Sequence, residues 1–191
     1  MNGRVDAVCT DFHADMTKEE IMSSATERSA VYRILSENFA YPANEAGMFG
    51  IRGAEYCDAF DPSVNPNACS IRESAYANEE HSALFEELVR FYEFFGLKRT
   101  DEAELPDHIA VELEFMHLLT HLEEQVSDQA DSVASLRRAQ RDFLSRHLAR
   151  LVRAVHDAMK GRNSRCSRLV ADAFDFIESE LALAAGAAEA A

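Results

Sequence analysis

The chain lacks most of the features that would make it a membrane protein, a metalloprotein or a nucleotide enzyme. No apolar run approaches the roughly 18 residues needed to span a membrane. Four cysteines, Cys9, Cys57, Cys69 and Cys166, form no C-x-x-C and match no zinc module. Free thiols in a reducing compartment are therefore expected. No G-x-S-x-G, Walker loop or G-x-G-x-x-G occurs, which removes the nucleophile elbow and the phosphate cradle. Gly47, Gly50 and Gly53 lie three apart, but no strand precedes them. No segment alternates with a strand's period of two, and there is no tandem repeat. A basic excess is also missing. The net charge of −15 excludes a phosphate-neutralising surface and with it nucleic-acid binding. The N-terminus carries Asp6, Asp11 and Asp15 and no apolar core of a signal peptide, so the expected location is the cytoplasm.

What remains is helical. The 191 residues, 47% of them hydrophobic, suffice for one core without disulfides or metal. The expected class is all-α: a single-domain helical bundle over residues 17–181, with a loose tail at 1–16 and a fraying Ala-rich end at 182–191. Thr17 and Glu20 make a capping box for a first helix that Tyr41-Pro42 stops. Residues 43–77 are irregular, with room for short helices around 45–60. Asn78 is the expected cap of a helix that Gly96 ends. A Pro106-led helix follows, then a long one to about Lys160 closed by Gly161, and a last one from near Ser164. The charge is uneven: residues 137–168 hold +8 and the remainder −23. The Arg-rich stretch reads as a solvated helix face.

Residues 104–116 concentrate the features that could carry function. Pro106 fits the first helical position, where its missing N–H costs nothing. Asp107 would then lie in the first turn, favoured by the helix dipole, with His108 at an exposed rim. Glu104, Asp107, Glu112 and Glu114 fall within eleven residues, beside Phe115 and Met116. An apolar trough with carboxylates at its rim suits a peptide that carries arginines next to a hydrophobic run. The same residues also read as solvated carboxylates on a plain core helix. Glu114, His117 and His121 share helical spacing and offer an alternative: a metal-binding bundle, although no second Glu-x-x-His exists to complete a di-iron site. A generic helical interaction module is the third reading. Asp107 and His108 cannot act as a catalytic dyad, because neighbours on a helix diverge by about 100°.

Several segments resemble the TorD/DmsD/NarJ family of redox-enzyme maturation chaperones. They are Tyr92-x-x-Phe95-Gly96-Leu97, Glu104-Leu105-Pro106-Asp107-His108-Ile109, Glu112-Leu113-Glu114-Phe115-Met116 and Phe143-Leu144-x-x-His147-Leu148. Tyr32-Arg33-x-Leu35 through Tyr41-Pro42 resembles the family's opening helix, so the likeness covers about residues 28–155. Its central block is most similar to chaperones of ethylbenzene, dimethylsulfide, selenate and chlorate enzymes. The resemblance implies an all-α fold, no catalytic activity and no cofactor of its own. It also implies a monomeric or homodimeric chaperone whose partners are a molybdenum enzyme's immature catalytic subunit and its twin-arginine leader. By position, Glu104, Pro106, Asp107, His108, Glu112, Glu114 and Phe115 would bind peptide. Departures are Leu151, which stands where a tryptophan is frequent, and residues 43–77, which match little.

Overall fold

The computed structural model describes residues 24–42, 48–78, 80–98 and 104–189. They form α1 (Ala25–Phe39), α2 (Gly53–Phe60), α3 (His81–Phe94), α4 (Ile109–Gln125), α5 (Ala130–Phe143), α6 (Ala149–Met159) and α7 (Arg165–Glu189). A 3₁₀ turn at Glu73–Ala75 precedes α3, and a π turn at Leu144–Leu148 joins α5 to α6 without a break. The fold is all-α, as the absence of strand periodicity predicts. Among the described residues, the one piece of β pairing is an antiparallel bridge between Arg72 and His108.

Helix ends follow local chemistry, with three differences from the expectation. The Thr17 capping box lies outside the described residues. Within them, α1 has Ser24 as its cap, whose hydroxyl accepts from the Glu27 N–H at 3.2 Å in a Ser-x-x-Glu pattern. Glu80, not Asn78, stands at the N-cap of α3, and its side chain makes no capping bond. The third difference concerns α4. Pro106 and Asp107 sit in a turn, and the helix begins at Ile109 with His108 as its cap. Gly96 closes α3 at φ +80°, where its own and Leu97's N–H return to Glu93 and Tyr92 carbonyls. α7 stays helical through the Ala-rich stretch as far as Glu189.

α4 lies at the centre. It packs along α1 more extensively than any other pair in the fold, and α5 covers a second side. Leu113, Met116 and Leu119 of α4, Tyr32 and Phe39 of α1, Leu148 of the π turn, and Leu151 and Val155 of α6 are all sealed from solvent. Aromatic edges knit α3 to this core: Phe115 meets Phe143 at 4.7 Å and Tyr92 at 4.9 Å.

One polar knot ties four helices together. Arg28 of α1 donates from Nε to both Glu180 carboxylate oxygens of α7 at 3.0 Å, to Glu123 of α4 at 3.2 Å and to Gln140 of α5 at 2.6 Å. The Tyr32 hydroxyl donates to Glu180 at 3.0 Å, and Arg137 donates to Glu123 at 2.7 Å. Burial pushes the Glu180 carboxyl up, against the pull of Arg28. Burial works the same way on Glu123, yet hydrogen bonds from Gln140 and Arg137 and the Arg28 charge hold it low. Removing the guanidinium leaves two buried carboxylates without their shared partner. Arg28→Met is expected to lose about 3 kcal/mol of stability, measured as the change in urea-unfolding free energy; a loss near zero would show that the knot adds nothing to the fold.

Candidate functional site

The turn before α4 is fastened to the 71–74 segment by backbone and side chain together. Glu73 N–H donates to the Asp107 carbonyl at 2.9 Å, and Ile109 N–H to the Ile71 carbonyl at 3.0 Å. Ser74 N–H donates to Asp107 Oδ2 at 3.1 Å. From the other side, the Tyr92 hydroxyl of α3 donates to the Pro106 carbonyl at 2.7 Å. His108 Nδ1 accepts the Ala110 N–H at 3.2 Å, which does for α4 what a serine does for α1. Burial holds the His108 imidazole below its usual range, against the pull of Glu104, so a neutral ring with a free acceptor nitrogen fits the cap.

Behind this turn lies a sealed acidic interior. Glu73, Asp107 and Glu112 are all buried, and four of their six carboxylate oxygens have no hydrogen-bond partner: Glu73 Oε1, Asp107 Oδ1 and both of Glu112. Burial pushes the Glu112 carboxyl well above its ordinary range; Glu73 and Asp107 push the same way and the Arg150 charge opposes them. His147 closes the far side. Its Nδ1 lies 3.1 Å from Glu73 Oε2, and its Nε2 lies 3.2 Å from Glu87 Oε1 on α3. The interior is thus reached from four elements, with Arg150 coming from α6 and His147 from the π turn.

This geometry corrects the exposed acidic rim expected from the sequence. Asp107 is fully buried in the turn, not in a helix's first turn, and its Oδ2 accepts from the Ser74 N–H. His108 caps the helix from inside and does not face solvent. Pro106 is buried beneath Tyr92, and Phe115 belongs to the aromatic core. Glu112 and Glu114 are two residues apart, about 200° around a helix, so they cannot share a face. Glu112 points into the interior and Glu114 to solvent. Glu104 is half-exposed and pairs loosely with Arg72 at 3.7 Å. Of the seven expected peptide-binding residues, Glu104 and Glu114 face solvent and the other five are buried.

The alternative metal trio does not assemble. His117 Nδ1 is taken up by Ser29, 2.8 Å from its hydroxyl and 2.9 Å from its carbonyl, whereas His121 meets Gln125 at 2.9 Å. Among the described residues no group of three His, Cys, Asp or Glu is placed to hold a metal ion. The Arg-rich stretch is also more than a solvated face. Arg137, Arg146, Arg153 and Arg165 pair with Glu123, Glu87, Glu178 and Glu55. Sequence reasoning missed Glu73, Glu87 and Arg150 altogether. Only the matched signs of the two charge blocks hinted that they meet.

Comparison with known proteins places residues 53–157 on the family model described as nitrate reductase delta subunit. The match begins inside the stretch that the sequence left as irregular. A selenate reductase assembly chaperone protein of Thauera selenatis is 38% identical over 98 residues, 50% of this chain and 51% of the relative. A chlorate reductase assembly chaperone protein of Ideonella dechloratans is 37% identical over 98 residues, again 50% and 51%. A dimethyl sulfide dehydrogenase assembly chaperone protein of Rhodovulum sulfidophilum is 32% identical over 115 residues, 56% and 46%. The chain spans about half the length of these relatives.

The acidic interior makes a pH-dependent prediction. Unfolded, Glu112 ionises near its ordinary 4.5; folded, it keeps its proton to higher pH. The folded chain then binds more protons, so this group's contribution to stability falls as pH rises from about 4.5 through the folded value. Glu112→Gln removes that slope. Its urea-unfolding free energy relative to wild type should move steadily in the variant's favour between acidic and alkaline pH. An advantage that shrinks as pH rises would mean the folded carboxyl is ionised.

Proposed function

Because the chain belongs to the nitrate reductase delta subunit family, whose TorD/NarJ-type signatures it carries, we propose that it is a cytoplasmic assembly chaperone for the catalytic subunit of a molybdenum enzyme. It binds the immature subunit and holds it until the molybdenum cofactor has been inserted. The twin-arginine leader of that subunit is part of what it recognises, so that export waits for assembly. It catalyses no reaction of its own.

The observation that carries this reading is the match of residues 53–157 to the family, with relatives that are named as assembly chaperones. The geometry agrees in two respects. The carboxyls of Glu73, Asp107 and Glu112 face the interior and not solvent. No helix is long and apolar enough among the described residues to cross a membrane. Within the 104–116 segment, the solvent-facing carboxylates of Glu104 and Glu114 are the groups that touch a cationic leader. Pro106, Asp107, His108, Glu112 and Phe115 act by holding the segment in place.

Co-expression with the catalytic subunit of a molybdenum enzyme from the same genome tests the function. With the chain present, the subunit should co-purify with it and go on to contain molybdenum; without it, molybdenum per subunit should fall severalfold. Equal loading in both cultures would reject the chaperone reading. For the leader, Glu104→Lys and Glu114→Lys should each weaken binding of the synthetic leader peptide about two- to fivefold at low salt, as read by fluorescence titration. Unchanged affinity in both would move the leader elsewhere on the surface.

A further inference from the structure

Outside the acidic interior, the described surface carries an open groove. It runs between α3 and the α5–π turn junction and has a volume of about 640 Å³. Phe91, Phe94 and Phe95 form its apolar wall at the i, i+3, i+4 spacing that puts side chains on one helix face. Ala83 and Ala139 keep it open by their small size. Phe94 is 83% exposed, a large apolar side chain with no cover of its own. That volume lies within the roughly 300–1,000 Å³ of functional pockets.

The charges around the groove select what fits. Arg90 pairs with Glu86, and Arg146 pairs with Glu87 while lying 5.8 Å from the Phe91 ring centre. Those four cancel. Asp142 projects from α5 into solvent with no ion-pair partner among the described residues. The groove therefore offers three phenyl rings and one uncancelled carboxylate. A second copy of this chain would bring another −15 of charge toward it. A guest with a cation beside an apolar face brings the opposite sign.

We propose that this groove is where the client's folded part docks, through an amphipathic helix whose apolar face lies on Phe91, Phe94 and Phe95 and whose arginine or lysine pairs with Asp142. The proposal rests on the chaperone reading and names a second contact, apart from the leader's. Helix-in-groove recognition of this kind uses a few anchors one turn apart.

The test uses the full chain and, as probe, the purified molybdenum-free catalytic subunit from the co-expression above. Phe94→Ser and Asp142→Lys alter exposed side chains, and Leu183→Ser alters an exposed side chain of α7 away from the groove. Thermal melts confirm that each variant folds. Phe94→Ser should weaken binding about tenfold or more, the loss expected for an interface anchor. Asp142→Lys should weaken it about fivefold at low salt, with the gap closing as salt screens the pair. Leu183→Ser should bind like wild type. If wild type binds the subunit and both groove variants bind equally well, the groove is wrong and the chaperone reading survives. If wild type neither binds the subunit nor raises its molybdenum content, both fail. Loss with Phe94→Ser alone overturns the cationic guest, and a wild-type dimer that Phe94→Ser dissociates assigns the groove to a second copy.

Discussion

Three carboxyl groups buried together beneath the Pro106–His108 turn set the terms for the rest of the structure. Glu73, Asp107 and Glu112 share an interior in which adjacent negative charges repel strongly. The fold meets that cost in three ways: a Glu112 carboxyl that burial biases toward its neutral form, a backbone N–H given to Asp107, and His147 brought against Glu73. Each solution needs a different element in place. The turn must lie against the 71–74 segment, α6 must bring up Arg150, and the π turn must deliver His147. An apolar interior of the same volume would be as stable. It would not fix direction, whereas a carboxylate that must meet the Ser74 N–H places the turn to within a hydrogen bond's length.

Both ends of α4 are fixed by such polar knots. At its start the turn is held by Asp107 and capped by His108; near its end Glu123 joins Arg28, Arg137 and Gln140. Between them the helix is a plain hydrophobic core. The global charge pattern has the same logic. A block of +8 and a remainder of −23 lie apart in sequence, and folding brings arginines of the first against glutamates of the second. Most of those pairs are exposed and each adds little. Those that reach α4 act in the interior, and there they count.

The helical plan was legible where a local rule acts alone. Gly96 and Gly161 end helices because a left-handed residue satisfies the last carbonyls. The long helix to Lys160 and the last helix from near Ser164 show the period of a buried stripe. The start of α4 was misread for a physical reason. Proline at the first helical position is a local preference, but Asp107 is claimed by a backbone amide 33 residues away, and this draws it out of the helix. His108 then serves as the cap, a role that no propensity assigns to imidazole. The opposed directions of Glu112 and Glu114 could have been taken from spacing alone. The burial of Glu112 could not, because Arg150, whose charge opposes that cost, lies far off in the chain. The resemblance drew attention to residues 104–116, while the placement of their side chains had to come from geometry.

The π turn explains how surface and interior are joined. Within the π turn at Leu144–Leu148 both Arg146 and His147 reach Glu87, Arg146 from the groove side and His147 from within. Glu87 is thus a wall residue of the groove and the outer end of a chain that runs through His147 to Glu73, whose backbone N–H holds the Asp107 carbonyl. π turns mark places where a helix is deformed for function. Here the deformation connects an open aromatic groove to the turn that carries the family's signature.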